Sequence, residues 1–440
     1  MSVTIENSLL TGTYADGHRI PGLLWYHTGE RRVVNYGDGL RAVWSPGLRQ
    51  WSTDALYNLN QVHLSKRVKT IHEDLHSRGF TSGSINGLVY RGSSRHQLRL
   101  PAYLPKAATG WQTKQVKGPD VLGLGALSTV TSQRLPKSAV QSLGFNDEYA
   151  VDSLIHLVKK GALPDLTLVY LPDMDGEKHR HGPSELTGVV KADRQLQRFL
   201  DTFGDWRRAL REHIVVVMGD SGVTAVERDR QTAMIDLESA LKPFRLAPVG
   251  EKAGPNDDVA IAINGRMSYV YSLSPYAPLS SLADKLMHDP RIDLIAWQEG
   301  DWIEVMRGGS RARLAYRTGG GHVDRYGNHH WDIRGDWRVM DLHQNPLSGK
   351  VESYQYPDGL RRLASVFHSH SGSFLVATAV PGAEFAGKGT PNHLGGGNHG
   401  SLHRTDAFVP IIVSGGQQVP QLPDRVVELR AYLLSLLTTD

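Results

Sequence analysis

The sequence predicts an α/β protein with a mainly parallel sheet flanked by helices and a smaller antiparallel β subdomain inserted into it. Three observations carry this reading. Short apolar runs alternate with helically spaced segments in the first half of the chain and again near its end, as strands and crossover helices do in a parallel sheet. From about Ala247 to Leu342 the alternation stops, and short strands joined by turn residues follow one another. The chain has 440 residues, 40% of them hydrophobic, which is enough to bury a large core.

The elements follow in order. Leu56, Leu59, Val62, Leu64, Val68, Ile71 and Leu75 keep near-helical spacing, predicting a helix from Leu56 to His76 that stops at Arg78-Gly79. Gly83–Gly87 is a short strand. Asn146-Asp147 caps a helix over Tyr149–Val158, which Gly161 closes and which feeds the strand Leu166–Tyr170. A helix over Ser184–Phe203, a strand at Ile214–Met218 and a helix around Thr232–Leu241 repeat the pattern. Val259–Ile263, Ser268–Leu273, Ile292–Trp297, Trp302–Met306 and Ala312–Tyr316 are the antiparallel strands, and Gly319–Asp341 reads as a loop rich in His and Asp. A helix near Pro357–Phe367, strands Ser373–Val380 and Val409–Val413 and a closing helix from Asp424 to Leu437 complete the chain. The expected division is a core of residues 1–244 and 343–440 with 245–342 as the inserted part.

Composition excludes several functions. The 49 basic and 45 acidic residues are interspersed and leave a net charge of only +4, so no nucleic-acid footprint is present. The longest apolar runs, such as Ile214–Met218, fall far short of the ~18 residues that span a bilayer. No secretory signal is visible at the start, and the default expectation is a cytoplasmic location. With no Cys, disulfides, thiolate metal sites and Cys nucleophiles are excluded, so any metal is held by His and carboxylates. Dinucleotide, phosphate-loop and serine-hydrolase fingerprints are missing. Oligomeric state has no signal here.

Three segments place acidic or His residues beside apolar strands, where ligands gather in α/β sheets. The first carries Asp173, Asp175, His179 and His181 after the strand at Leu166; the second is Gly219-Asp220-Ser221-Gly222; the third is Gly395-Gly-Gly-Asn398-His399-Gly400 before Val409–Val413. Their donors are carboxylate and imidazole, the mixture suited to a catalytic divalent metal. Taken singly each has an ordinary reading: Asp220 as a helix cap, His399 as a loop residue. Trp25 and Tyr26 offer aromatic faces either to a base or to the core.

These segments resemble the type I phosphodiesterase/nucleotide pyrophosphatase family of the alkaline phosphatase superfamily: Asp175-x-x-x-His179 with Gly182-Pro183 is similar to its metal loop, Gly219–Gly222 to its Ser-Asp-His-Gly strand end, and Asn398-His399-Gly400 to its Gly-x-His-Gly loop. Thr11-Gly12 through His18 and Ile20 is similar to the segment that follows the family's nucleophile. The resemblance implies a metal-dependent hydrolase, one or two zinc ions with manganese as a substitute, and a small phosphate ester or nucleotide as substrate. It carries one ion onto Asp175, His179 and His399, with Asp173 as the less favoured neighbour of Asp175. It carries a second ion onto Asp220, with Ser221 where the family has a better ligand, His. It puts the nucleophile at Ser2, with Thr4 as second candidate, and leaves the strand and Asp that precede it in the family outside this sequence. A version with that strand is expected to melt higher. The alternatives are a non-catalytic relative that binds ligand, or a phosphomonoesterase or sulfatase on the same scaffold.

Overall fold

The computed structural model describes residues 2–37, 47–100, 110–125, 145–327, 329–416 and 420–438. The first helix, α1 (Ser2–Thr11), buries Val3, Leu9 and Leu10. After it, β1 (Leu24–His27) and β2 (Arg32–Asn35) form an antiparallel hairpin. The helix expected from Leu56 to His76 is instead two elements, a π-helix at Asp54–His63 and α2 (Ile71–Ser77). Thr70 starts the second: its hydroxyl accepts the Glu73 N–H while the Glu73 carboxylate accepts the Thr70 N–H, a reciprocal cap. Arg91 occupies the gap, donating to the carbonyls of Leu64, Ser65 and Val68.

The described parallel sheet has three strands, with β3 (Ser82–Ile85) between β4 (Val121–Gly123) and the later β5 (Leu166–Val169). Helix α3 (Asp147–Lys159) precedes β5 and starts where Asn146 Oδ1 accepts the Tyr149 N–H at 2.8 Å. Then come α4 (Asp173–His181), α5 (Thr187–Asp201), β6 (Val215–Met218) and β7 (Thr224–Ala225). The helix expected around Thr232–Leu241 is broken into Arg230–Ala233, a strand at Met234–Asp236 and Leu237–Ala240, because Asp229 and Asp236 each cap a new turn.

The seven-stranded antiparallel sheet is the largest among the described residues. Its strands are β8 (Val259–Asn264), β9 (Met267–Ser272), β10 (Ile292–Glu299), β11 (Trp302–Arg307), β12 (Arg313–Val323), β13 (His330–Gly335) and β14 (Ser373–Ala379), in the order β8-β9-β14-β10-β11-β12-β13. Residues 245–342 therefore do not close on themselves, since β14, from beyond them, sits between β9 and β10. The Gly319–Asp341 loop is largely strand: β12 and β13 pair across it, and a register shift between Thr318 and His322 absorbs the glycines. The chain ends with β15 (Gly397–Asn398), β16 (Ile411–Ser414) and α6 (Val426–Thr438), which packs on α1.

Burial is uneven. One face of the seven-stranded sheet is covered by a cluster with Tyr269, Tyr316 and Trp331; the other face of β8, β9, β10 and β14 is covered by a cluster with Val270, Ile295 and Leu375. By contrast β5 is only half-buried throughout, and the β6–β16 pair leaves Val217 41% and Ile412 62% exposed.

Candidate metal centre

The segment carrying Asp175 and His179 is helical rather than a loop. Residues four apart share a helix face, and within α4 His179 Nε2 lies 3.4 Å from Asp175 Oδ1. The third segment brings His399 Nε2 to 3.3 Å from the same oxygen, across 224 residues of sequence. One ligand atom from each of the three lies within 4.8 Å of the others. The structure thus assembles Asp175, His179 and His399 as one group.

Their orientation is fixed from outside. His179 Nδ1 donates to the Gly397 carbonyl at 2.8 Å, so Nε2 is the nitrogen with a free lone pair and it faces Asp175. That contact needs the loop backbone against α4: a Cβ on Gly396 would stand 2.1 Å from the His179 carbonyl oxygen. His399 is held by the β8–β9 hairpin, whose Arg266 N–H donates to the His399 carbonyl at 3.0 Å. Gly265, at φ +67°, allows that approach, because a Cβ there would meet the same oxygen at 2.6 Å. Beneath it the fully buried Arg266 guanidinium pairs with Asp406 at 2.5 Å, and Asp406 accepts the Ser401 N–H at 2.9 Å. Asn398 Oδ1 accepts the His399 N–H at 2.8 Å while its amide donates to Glu384.

Burial alone would raise the Asp175 carboxyl, but the hydrogen bond from His399 and the fields of His179 and His399 outweigh it and hold the group down at about 2. Burial pushes the His179 imidazole below its ordinary value, Asp175 opposing and the neighbouring imidazoles of His399 and His393 adding to the shift. Near pH 7 the group is therefore an ionised carboxylate with a neutral imidazole. One carboxylate and two imidazoles suit a zinc-class ion with a coordination position left open. His399 Nδ1 is buried with no hydrogen-bond partner among the described residues.

The remaining expected residues lie elsewhere or play other parts. Asp173 and Asp147 each accept the other's backbone N–H, at 3.2 and 3.0 Å, so Asp173 ties α4 to α3 and is outside the ligand group. Asp220 is half-buried, with the Ser221 hydroxyl 3.4 Å from its Oδ1, and neither joins the three-ligand group. Ser2 is the first residue of α1, but its side chain lies outside the described residues. Thr4, two residues along, has a buried hydroxyl without a partner among them. Trp25 and Tyr26, each 5% exposed, belong to the core and not to a base slot.

Sequence reasoning missed Glu6. It sits on α1 among apolar residues, 5% exposed, with Oε2 accepting the Val89 N–H at 2.8 Å and Oε1 unpartnered among the described residues. Burial, reinforced by the charge of Asp220, pushes its carboxyl up to about 8 despite the Val89 N–H. Arg266, Asp406 and Glu384 were also missed. Asn264-Gly265 signals a hairpin turn, but nothing local says what that turn supports.

A direct comparison with curated proteins gives no match. In structure, the murine ectonucleotide pyrophosphatase/phosphodiesterase 5 superposes with a TM-score of 0.55 at 13% identity, covering 100% of this chain and 84% of that one. An inactive variant of the murine protein in complex with AMP gives 0.55 at 14% identity, with 100% and 84% covered. Phosphonoacetate hydrolase from Sinorhizobium meliloti 1021, in complex with phosphonoacetate, gives 0.52 at 12%, with 98% and 83% covered. These likenesses establish a shared fold. The model of the type I phosphodiesterase/nucleotide pyrophosphatase family matches residues 2–402, and the chain belongs to that family.

Proposed function

We propose that the chain is a divalent-metal-dependent hydrolase of phosphodiester or phosphoanhydride bonds of the nucleotide type, acting through a Ser/Thr phosphoenzyme. The observation that carries this reading is the convergence of Asp175, His179 and His399 from distant parts of the chain. These three hold one ion, zinc or manganese, and Asp220 contributes to a weaker second position where Ser221 adds little. When bound, such ions supply positive charge to phosphoryl oxygens and lower the pKa of a hydroxyl.

In the chain's own terms, the hydroxyl of Ser2, or of Thr4 in its place, attacks phosphorus and gives up its proton. The bond to the leaving oxygen breaks, and that oxygen departs with a proton. Water then cleaves the bond between phosphorus and the side-chain oxygen, restoring the hydroxyl and releasing a phosphate monoester. His399, braced by Arg266 and Asn398, and His179, braced by the Gly397 carbonyl, keep the donor set in place without rearrangement during turnover. AMP in complex with the murine relative supports a nucleotide substrate.

The test is hydrolysis of bis(4-nitrophenyl) phosphate beside 4-nitrophenyl phosphate and 4-nitrophenyl sulfate, with zinc or manganese supplied. The diester should turn over fastest, and Asp175→Ala should remove that activity together with bound metal. Faster monoester or sulfate cleavage would move the substrate class. Ser221 favours a second reading, a one-ion protein that binds a phosphate ester without cleaving it. Metal-dependent AMP binding with no diester turnover would select that reading.

A further inference from the structure

Away from the centre just described, the turn of the β1–β2 hairpin faces the end of the π-helix. A ring nitrogen of His27, a carboxylate oxygen of Glu30 and a ring nitrogen of His63 there lie within 4.8 Å of one another. We propose that these three side chains form a second, independent binding site for a divalent cation of the zinc class, which fastens the hairpin to the π-helix.

The three groups do not satisfy each other. His63 is 9% exposed, and its Nε2 has no hydrogen-bond partner among the described residues. The nearest acceptor, Glu30 Oε1, is 3.5 Å away, too far for a good hydrogen bond. A buried imidazole nitrogen aimed at a carboxylate across such a gap leaves the spacing that an ion fills, since zinc stands about 2 Å from nitrogen and oxygen ligands alike.

Outer contacts direct the donor atoms toward the gap. His63 Nδ1 is 2.6 Å from Tyr36 Oη, and donation of its proton there leaves the Nε2 lone pair facing the gap. The other Glu30 oxygen lies 2.5 Å from Arg32, whose guanidinium is already engaged by the buried Asp54 at 2.7 and 2.9 Å. The Glu30 charge is therefore directed, and Arg32 is largely neutralised by a second carboxylate. His27 is the weaker imidazole, because its Nδ1 accepts the Glu30 N–H at 3.1 Å.

Backbone geometry agrees. Arg31, which follows Glu30 in the turn, is a non-glycine residue at φ 55°, a conformation kept only where the surroundings enforce it. Its guanidinium donates to the Ala253 carbonyl at 2.9 Å, which locks the turn against the chain that leads into the seven-stranded sheet. π-helices are rare and frequent at functional positions, and this one ends on His63.

The experiment removes the first centre and asks what metal remains. The full chain carrying Asp175→Ala and His399→Ala is dialysed against micromolar zinc, and metal per chain is read by elemental mass spectrometry. The expected result is one retained zinc, with a rise in melting temperature on zinc addition. Adding His63→Gln abolishes both effects. Adding Glu30→Gln, a substitution at a partly exposed position that leaves the fold intact, weakens binding at least about tenfold, and adding His27→Gln weakens it less than His63→Gln does. Cobalt in place of zinc gives visible absorption bands that disappear with His63→Gln. No zinc on the double variant overturns the proposal, and so does zinc whose affinity ignores both His63→Gln and Glu30→Gln.

Discussion

His399 hangs from the β8–β9 hairpin, in the part of the seven-stranded sheet that is buried on both faces, whereas Asp175 and His179 ride on a nine-residue helix with no buried residue. Beneath His399 lie a fully buried Arg266–Asp406 pair and the Glu384–Asn398 contact. The strands that precede the Asp175 and Asp220 segments, β5 and β6, are apolar in sequence yet only half-covered. A parallel strand rich in Val, Leu and Ile normally has both faces covered. His399 is thus placed by packing in the sheet, whereas Asp175 and His179 are placed by the contacts of α4 with α5, by the reciprocal Asp173–Asp147 bonds that tie it to α3, by the His179–Gly397 hydrogen bond and by the shared Asp175 oxygen.

The largest effect should come from the sheet side. Arg266→Met leaves Asp406 charged and buried, and loss of one partner of a buried ion pair costs about 3–5 kcal/mol. Urea denaturation should show that loss, and an unchanged midpoint would mean that the hairpin is not what supports His399. Next is a matched pair of truncations. Leu375→Ala, at a fully buried position, should cost about 2–5 kcal/mol, whereas Ile412→Ala, at a position 62% exposed, should cost under about 1 kcal/mol. Equal costs would erase the contrast between the two regions.

A third expectation concerns pH. Glu6 is raised from 4.5 to about 8 in the folded protein, so its contribution to stability is full below about 4.5 and is lost as pH climbs through about 8. The native state binds more protons in that window, and stability therefore falls with rising pH, by an amount on the order of a few kcal/mol. Glu6→Gln should flatten the dependence and melt higher than the parent at pH 8. A slope identical to the parent's would show that Glu6 is not held protonated. Smallest is Gly396→Ala: the displaced loop should weaken metal binding about 10–100-fold, the range for lost outer-shell support, with little change in overall stability. Titration calorimetry with zinc reads it.

Legibility followed the same divide. The helix around Tyr149–Val158 and the antiparallel strands from Val259 to Tyr316 were visible because caps and alternation are local signals. So were Asp175, His179 and His399 as candidates, from their residue types and neighbouring glycines, and the structure brings the three together. What stayed hidden depends on distant partners. The helix break at Ser65–Lys69 is stabilised by Arg91, and β14 enters the antiparallel sheet from beyond residue 342. Glu6 matters because of Val89 and Asp220, and Arg266 because of Asp406; no spacing rule joins residues so far apart. Asp173 shows the converse, since its sequence context resembles that of Asp175 while its actual partner is Asp147.

The most direct test of the central claim is metal per chain in the parent, Asp175→Ala and His399→Ala, read by elemental mass spectrometry after equilibration with zinc. The account predicts that each substitution lowers the stoichiometry by one ion and that the double variant loses no more than either single one. An unchanged stoichiometry in both would contradict the assignment of Asp175, His179 and His399 to a shared metal.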